Sequence, residues 1–192
     1  MTPLVLEMAT ADIHLSDDQF YRLCQVNREL RLERTAEGSL VIMPPTGWET
    51  GNRNSKLNQR LSNWADANGQ GLVFDSSTGF ILPNGAIRSP DVAWVRKDRI
   101  NALQPDPNRF LPLCPDFAVE LRSASDDLST LQAKMQEYLD NGMQLGWLLN
   151  PLDQQVEIYR NGQSVEILQS PTELPGELVL PGFVLNLEGI LS

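Results

Sequence analysis

Apolar positions in the first 44 residues follow first a helical period and then a β-strand pattern. Ser16 and Gln19 have the spacing of a capping box, and apolar residues follow at helical spacing, which predicts a helix over about 16–28. The segment RLERTAEGSLVIM then has two short β-prone runs around a Glu-Gly pair, which is typical of a hairpin. We therefore expect an N-terminal helix and hairpin over 13–44.

Two later segments have the apolar period of packed helices. The first runs from Glu49 to about Asn68 and has a glycine just past its end. The second has Ser125 as its predicted N-cap and is closed by an Asn-Gly pair. Each helix carries one apolar stripe that would face a sheet, formed by Leu57, Leu61 and Trp64 in the first and by Leu128, Leu131, Met135 and Leu139 in the second.

Apolar runs between and after these helices predict the strands. The run GLVFDSSTGFILPNGAIRSPDVAWV contains two or three strands, and DFAVELR, GWLLN and a hairpin in QQVEIYRNGQSVEIL supply the others. From residue 49 the order is helix, three strands, helix and strand, which predicts an α/β fold with a mixed sheet flanked by helices. We expect one domain over 1–192, with a core at about 49–150 and a C-terminal hairpin and tail over 151–192.

Composition removes several classes of function. His14 is the only histidine, which excludes Ser-His-Asp and histidine-metal mechanisms. Cys24 and Cys114 have no paired spacing and are expected to be reduced thiols. The N-terminal segment lacks the features of a signal peptide, and no apolar run approaches the ~20 residues of a membrane helix. The expectation is a cytoplasmic protein that does not enter a membrane.

Three residues point to phosphodiester chemistry. Asp91 opens one apolar run, Glu120 ends another, and Lys134 follows on an amphipathic segment. Two carboxylates and an ammonium suit a divalent-metal phosphodiesterase, because hard oxygen ligands hold the metal while a cation meets developing charge. The alternative for Asp91 is a plain strand start after a proline, and for Glu120 it is an ion pair with Lys134 or Arg122.

Basic side chains offer a possible nucleic-acid contact. Arg53, Lys56 and Arg60 recur at helical spacing, and Arg88 lies close before Asp91. These groups could hold phosphates, although a solvated basic face explains them equally well. The formal net charge of -10 argues against strong DNA binding, because phosphate neutralisation usually supplies much of the affinity.

Several motifs resemble one known family. LRLERTAEGSLVIMPPTGWETGNRN, RSPDVAWV, PDFAVELRSASD, KMQEYLDNG, GWLLNP and VEIYRNG occur in the order of the Uma-two family of restriction-endonuclease-like proteins, within the PD-(D/E)XK nuclease superfamily. The resemblance implies a restriction-endonuclease-like core, with Asp91 and Glu120 as metal ligands. It also implies that Glu49 is a further ligand or a water-positioning base.

The resemblance includes one departure from the superfamily pattern. The motif lysine should stand two residues after Glu120, but Arg122 occupies that position. Arginine stays protonated near neutral pH and can stabilise charge but cannot act as a base. The family is thought to take its lysine from the following helix, so Lys134 is the expected substitute. Lys134 and Tyr138 together resemble a Gln-x-x-x-Tyr element of related nucleases, although packing is the commoner role for such a tyrosine.

The resulting hypothesis is a Mg²⁺-dependent endonuclease, with Mn²⁺ as a substitute metal and DNA as the substrate. Lys134 would orient or help deprotonate the attacking water and stabilise the pentacoordinate phosphate. Two alternatives stay open: a catalytically impaired nuclease fold used for binding or regulation, and a phosphodiesterase acting on RNA or a small molecule. A homodimer is possible, because nucleases of this type often need two active sites to cut both strands.

Overall fold

The computed structural model describes residues 3–191, and its thirteen strands and four α-helices follow a mixed α/β order. In chain order the elements are β1 (Leu4–Leu6), α1 (Asp17–Val26), β2 (Arg31–Arg34), β3 (Leu40–Met43), α2 (Trp48–Asn68), β4 (Gly71–Asp75), β5 (Phe80–Ile81), β6 (Ile87–Arg88), β7 (Val92–Arg96), α3 (Lys97–Leu103), β8 (Phe117–Leu121), α4 (Leu128–Asp140), β9 (Leu145–Asn150), β10 (Gln155–Arg160), β11 (Glu166–Gln169), β12 (Glu173–Pro175) and β13 (Val184–Asn186).

The larger sheet has six strands in the order β11-β10-β9-β8-β7-β4. Only the β8–β9 pair is parallel, and α4 makes the crossover between these two strands, so the predicted mixed sheet is confirmed. The helix α2 packs on one face of this sheet through Leu57 and Leu61, while α4 packs on the other through Met135 and Tyr138.

Alternation along β8 decides which way its side chains point. Phe117 and Val119 pack in the core cluster that contains α2, whereas Ala118 packs in the cluster that contains α4. Because the side-chain period of a strand is two, Glu120 shares the face of Ala118 and lies under α4. All five residues of the strand are buried, so this carboxylate is forced into the interior.

A second sheet of five strands carries the N-terminal part of the chain, in the order β1-β3-β2-β6-β5. The predicted hairpin is confirmed as the antiparallel pair β2–β3. One further pairing, between Arg34 and Ile87, joins β2 to β6 and so brings the hairpin beside the segment that leads into β7. This junction places Glu33, on β2, next to the larger sheet.

Several local predictions need correction. The helix α4 is capped by Asp127, whose side chain accepts a hydrogen bond from the Thr130 N–H at 3.0 Å, rather than by Ser125. The segment between α2 and β8 holds four strands instead of two or three, and also the short helix α3. The strands β5 and β6 have only two residues each, too few to give a periodic signal.

Two features of the structure concern membrane crossing and the cysteines. Among residues 3–191 no helix combines the length and the apolar character needed to cross a lipid bilayer. Cys24 and Cys114 are both free thiols.

Candidate active site

Asp91 and Glu120 meet at one end of the larger sheet. The strands β7 and β8 are antiparallel, with Val92 opposite Val119, so the start of β7 lies beside the end of β8. The Leu121 N–H donates to Asp91 Oδ2 at 2.9 Å, and this bond links the aspartate directly to the residue after Glu120. Both carboxylates line a cavity of about 540 Å³ between the two sheets, α2 and α4.

Lys134 reaches the same point from α4. Its Nζ lies 2.9 Å from Glu120 Oε1. One turn further along the helix, the Tyr138 hydroxyl donates to the same oxygen of Glu120 at 3.0 Å. The ion pair predicted as the alternative role of Glu120 is therefore present, and its partner is Lys134 rather than Arg122.

Glu33 is a residue of this site that the sequence analysis does not identify. Only 2% of it is exposed, and its carboxylate accepts hydrogen bonds from Lys134 Nζ at 2.8 Å and from the Ser89 N–H at 2.8 Å. The Lys134 ammonium is thus held between two carboxylates, Glu33 and Glu120, that come from different sheets. In the sequence, Glu33 lies between arginines in a short strand and has the pattern of a solvent-facing position.

Arg88 belongs to this buried network. Its Nε donates to Glu137 at 2.6 Å, and its Nη1 lies 3.2 Å from Glu33 Oε2. The charge of Arg88 is therefore offset inside the protein. Its predicted contact with nucleic acid gains no support from this geometry.

Burial and neighbouring charges shift the ionisation of this cluster. Burial raises the pKa of Glu120 to about 7; Lys134 opposes this rise, and the carboxylates of Asp91 and Glu33 reinforce it. Burial also raises the pKa of Asp91. Burial alone would raise the pKa of Glu33, but the positive charges of Lys134 and Arg88 outweigh burial and lower this pKa.

The ammonium of Lys134 is stabilised by its two acidic partners. Burial alone would lower its pKa, but Glu120 and Glu33 raise it above the ordinary lysine value. Lys134 is therefore a cation at neutral pH. Of the roles predicted for it, orientation of water and charge stabilisation fit this state, while removal of a proton from water does not.

The predicted third acid, Glu49, is not brought to this point. Its carboxylate pairs with Arg53 one turn along α2, at 3.0 Å, and its side chain is 60% exposed. Thr50 and Asn54 line the cavity instead, and Glu49 precedes Thr50 by one residue, a rotation of roughly 100° around the helix. Within residues 3–191 no group of three or more histidine, cysteine, aspartate or glutamate side chains is arranged to hold a metal.

The remaining predicted basic residues contact other parts of the protein. Arg122 Nη1 lies 3.0 Å from Asp153, directed towards the loop after β9. On α2, Lys56 donates to the Gly189 carbonyl at 3.4 Å, and Arg60 donates to the Glu188 carbonyl at 2.9 Å. These side chains hold the C-terminal segment, and their predicted phosphate contacts stay predictions.

The donor set of the cavity fits a hard divalent cation held by two carboxylates. Mg²⁺ is commonly bound in proteins by one or two carboxylates and keeps several water ligands, so a third protein carboxylate is not required. The wall also carries an excess of negative charge, which a cation would offset, since three basic side chains (Arg31, Arg88 and Lys134) face seven acidic ones (Glu33, Glu37, Asp91, Glu120, Asp126, Asp127 and Glu137).

A polar side chain beside Asp91 supports the same conclusion. Asn54 donates from Nδ2 to Asp91 Oδ1 at 3.0 Å, while its own Oδ1 is buried without a hydrogen-bond partner among residues 3–191. A buried acceptor of this kind needs a donor, and the hydration shell of a bound cation would supply one. Asn54 lies one turn before Leu57 on the face of α2 that buries Leu57 and Leu61. A polar residue at an otherwise apolar position of a helix is the sequence signal that could have identified Asn54.

Comparison with known proteins identifies the family. The model of the family described as "Uma2: Putative restriction endonuclease" matches residues 17–188. The chain belongs to the Uma2 family. The Uma2 assignment confirms the resemblance seen in the sequence motifs. No curated protein matches the chain.

A solved structure agrees on the fold. The chain is similar to a crystal structure at 1.96 Å resolution described as "a putative nuclease belonging to DUF820", from Anabaena variabilis, with 19% sequence identity and a TM-score of 0.77. The similarity covers 92% of this chain and 97% of the other. This likeness confirms the predicted mixed sheet flanked by helices in a nuclease-like fold.

Proposed function

We propose that this Uma2 chain is a metal-dependent nuclease that hydrolyses DNA phosphodiester bonds, with Mg²⁺ as its cofactor and Mn²⁺ as a substitute. The family description and that of the similar structure both indicate a nuclease. The observation that carries the proposal is the meeting of Asp91, Glu120 and the Lys134 ammonium on one cavity wall. Carboxylate ligands beside a fixed cation suit phosphodiester hydrolysis.

Asp91 and Glu120 would hold the metal. A bound Mg²⁺ supplies a water of lowered pKa and a positive charge against the phosphoryl oxygens. The protein fixes both carboxylates beforehand, because Asp91 accepts hydrogen bonds from Asn54 and from the Leu121 N–H, while Glu120 accepts one from Tyr138. Each oxygen of Asp91 has a second lone pair left for a ligand. Oε1 of Glu120 already accepts from Tyr138 and contacts Lys134, so Oε2 is the oxygen of Glu120 that is left for a ligand.

The chain's own cation has a separate role. Lys134 keeps its ammonium next to Glu120, and Glu33 holds that ammonium from the other side. A permanent positive charge there favours the additional negative charge that develops on the phosphate in the transition state. Removal of a proton from the attacking water then falls to a group other than Lys134.

A second candidate substrate is RNA or a small phosphodiester. Duplex DNA binding gains affinity from basic groups that neutralise several phosphates. The basic side chains of the cavity wall already have protein partners: Lys134 and Arg88 contact carboxylates, and Arg31 donates to the Ser76 carbonyl at 3.1 Å. A shorter or single-stranded substrate needs fewer such contacts.

The test is a nuclease assay with Mg²⁺ and with Mn²⁺ on plasmid, single-stranded DNA and RNA. Asp91→Ala should lower the rate about a thousandfold or more, because it removes a metal ligand. The control is Asp98→Ala, which removes an exposed acid on α3 that pairs with Arg96 and lies outside the cavity. Metal-dependent cleavage at the same rate by Asp91→Ala would refute the assignment. Absence of both metal binding and cleavage in the wild type would favour the non-catalytic binding module.

A further inference from the structure

The orientation of the Asn54 side chain is fixed by its neighbour. As a metal ligand Asp91 must be ionised, and an ionised carboxylate can only accept hydrogen bonds, so the group 3.0 Å from Asp91 Oδ1 is the amide nitrogen. The amide oxygen consequently points away from Asp91. This assignment depends on the chemistry of the pair, so the usual ambiguity between the two ends of an asparagine does not arise.

That amide oxygen has no donor within the protein. Asn54 Oδ1 is buried and lacks a hydrogen-bond partner among residues 3–191, and Asn54 lines the cavity of Asp91 and Glu120. The other two unpartnered buried side-chain atoms in this part of the chain are the indole nitrogens of Trp94 and Trp147, which lie in the apolar core. Asn54 is therefore the site where a missing donor coincides with a polar cavity.

The nearby cations cannot supply this donor. Lys134 lies between Glu33 and Glu120, and Arg88 donates to Glu137 and Glu33. The remaining source is a molecule in the cavity. Mg²⁺ gives up its water ligands reluctantly, and water bound to a divalent cation is a strong hydrogen-bond donor.

We infer that Asn54 is a positioning residue of the metal site, whose amide nitrogen fixes Asp91 while its amide oxygen accepts a hydrogen bond from a water ligand of the cation. The inference rests on the proposed metal-dependent function. A neutral amide is suited to this place because it can donate to one ligand and accept from another, which a third carboxylate could not do. Residues one layer outside the metal ligands commonly control metal affinity in this way.

The inference is tested by titrating the full chain with Mn²⁺ and following free Mn²⁺ by electron paramagnetic resonance at room temperature. Asn54→Ala should weaken Mn²⁺ binding about tenfold to a hundredfold. Asn58→Ala is the matched control, since Asn58 lies one turn along the same helix and its Oδ1 accepts a hydrogen bond from Ser62. This control should bind Mn²⁺ with the wild-type affinity. Asn54→Ser is the second variant if the alanine variant does not fold.

Competition with other ions separates the water contact from simple support of Asp91. Mg²⁺ retains its water ligands, whereas Ca²⁺ exchanges them for protein oxygens more readily. If Asn54 acts through a bound water, Asn54→Ala should reduce the affinity with which Mg²⁺ displaces Mn²⁺ about tenfold or more. The affinity with which Ca²⁺ displaces Mn²⁺ should fall much less. An equal loss for the two ions would mean that Asn54 only supports Asp91, and it would overturn the water contact.

The outcomes also separate this inference from the proposed function. Glu120→Gln should abolish Mn²⁺ binding in either case. If Glu120→Gln abolishes binding while Asn54→Ala keeps the wild-type affinity for all three ions, the role of Asn54 is refuted and the metal site stands. If the wild-type chain binds no Mn²⁺, both proposals are refuted together.

Discussion

Replacing Lys134 with methionine removes the cation that joins the two sheets. The ammonium lies 2.8 Å from Glu33 and 2.9 Å from Glu120, and both carboxylates are almost fully buried. At these distances each pair has an attraction of about 6 kcal/mol for an effective dielectric constant of roughly 20. The cost of burying the charges offsets much of this attraction, so the loss on removing one partner should be about 3–5 kcal/mol.

The assays are reversible urea unfolding and thermal unfolding of Lys134→Met, Glu33→Gln and the double variant, in EDTA at neutral pH. For a chain of this size a loss of 3–5 kcal/mol corresponds to a Tm lower by about 6–20 °C. In the double variant position 33 no longer carries an uncompensated charge. The double variant should therefore lose less free energy of unfolding than the sum of the two single variants, by at least about 1.5 kcal/mol. Arg122→Met, which breaks a partly exposed pair with Asp153, is the control and should cost about 1 kcal/mol or less.

Two results would refute this reasoning. If Lys134→Met costs less than about 1 kcal/mol, the pair behaves as an exposed one and the junction between the sheets is looser than described. If the losses of the two single variants add within about 0.5 kcal/mol, Glu33 and Lys134 are not coupled.

Three further predictions concern ionisation and packing. The pKa of Glu33 is lowered in the folded state, so its stabilising effect is complete above its unfolded pKa of about 4.3 and is lost at lower pH. The difference in free energy of unfolding between wild type and Glu33→Gln should therefore become smaller on acidification. A difference that grows on acidification would contradict this. Burial raises the pKa of Cys114 to about 12, so a thiol reagent should modify it only after unfolding, and rapid modification of the folded chain would show an open core. A Cβ on Gly71 would lie 2.2 Å from the Trp94 ring, so Gly71→Ala should lower the free energy of urea unfolding by about 1–3 kcal/mol. In the control Gly51→Ala the nearest contact of the added Cβ is at 3.9 Å, so this variant should stabilise α2 by up to about 1 kcal/mol. Equal effects of the two substitutions would contradict the packing around Gly71.

The sequence predicts best what depends on local periodicity. The apolar stripe of α4 places Lys134 and Tyr138 one turn apart on the side that faces the sheet, and both contact Glu120. The strand that begins just after Asp91 and the strand that carries Glu120 also follow from short apolar runs. These elements converge because each has a strong local pattern, β7 pairs directly with β8, and a short loop joins β8 to α4.

Contacts between distant segments could not be predicted in this way. Glu33 and Lys134 are 101 positions apart, and their contact depends on the pairing of β2 with the two-residue strand β6. A charged residue in a short strand gives the same pattern whether it faces solvent or a buried partner. Glu49 shows a different limit, since a shift of one residue along a helix turns a side chain away from the cavity that Thr50 lines.

The most direct test of the metal site is a crystal structure of the wild-type chain soaked in Mn²⁺, with data collected for the anomalous signal of manganese. A peak is predicted in the cavity at about 2.0–2.6 Å from a carboxylate oxygen of Asp91 and from one of Glu120. Lys134 should remain the nearest basic side chain to this peak. Well-ordered density for both carboxylates with no manganese peak between them would contradict the metal site, and with it the proposed hydrolysis.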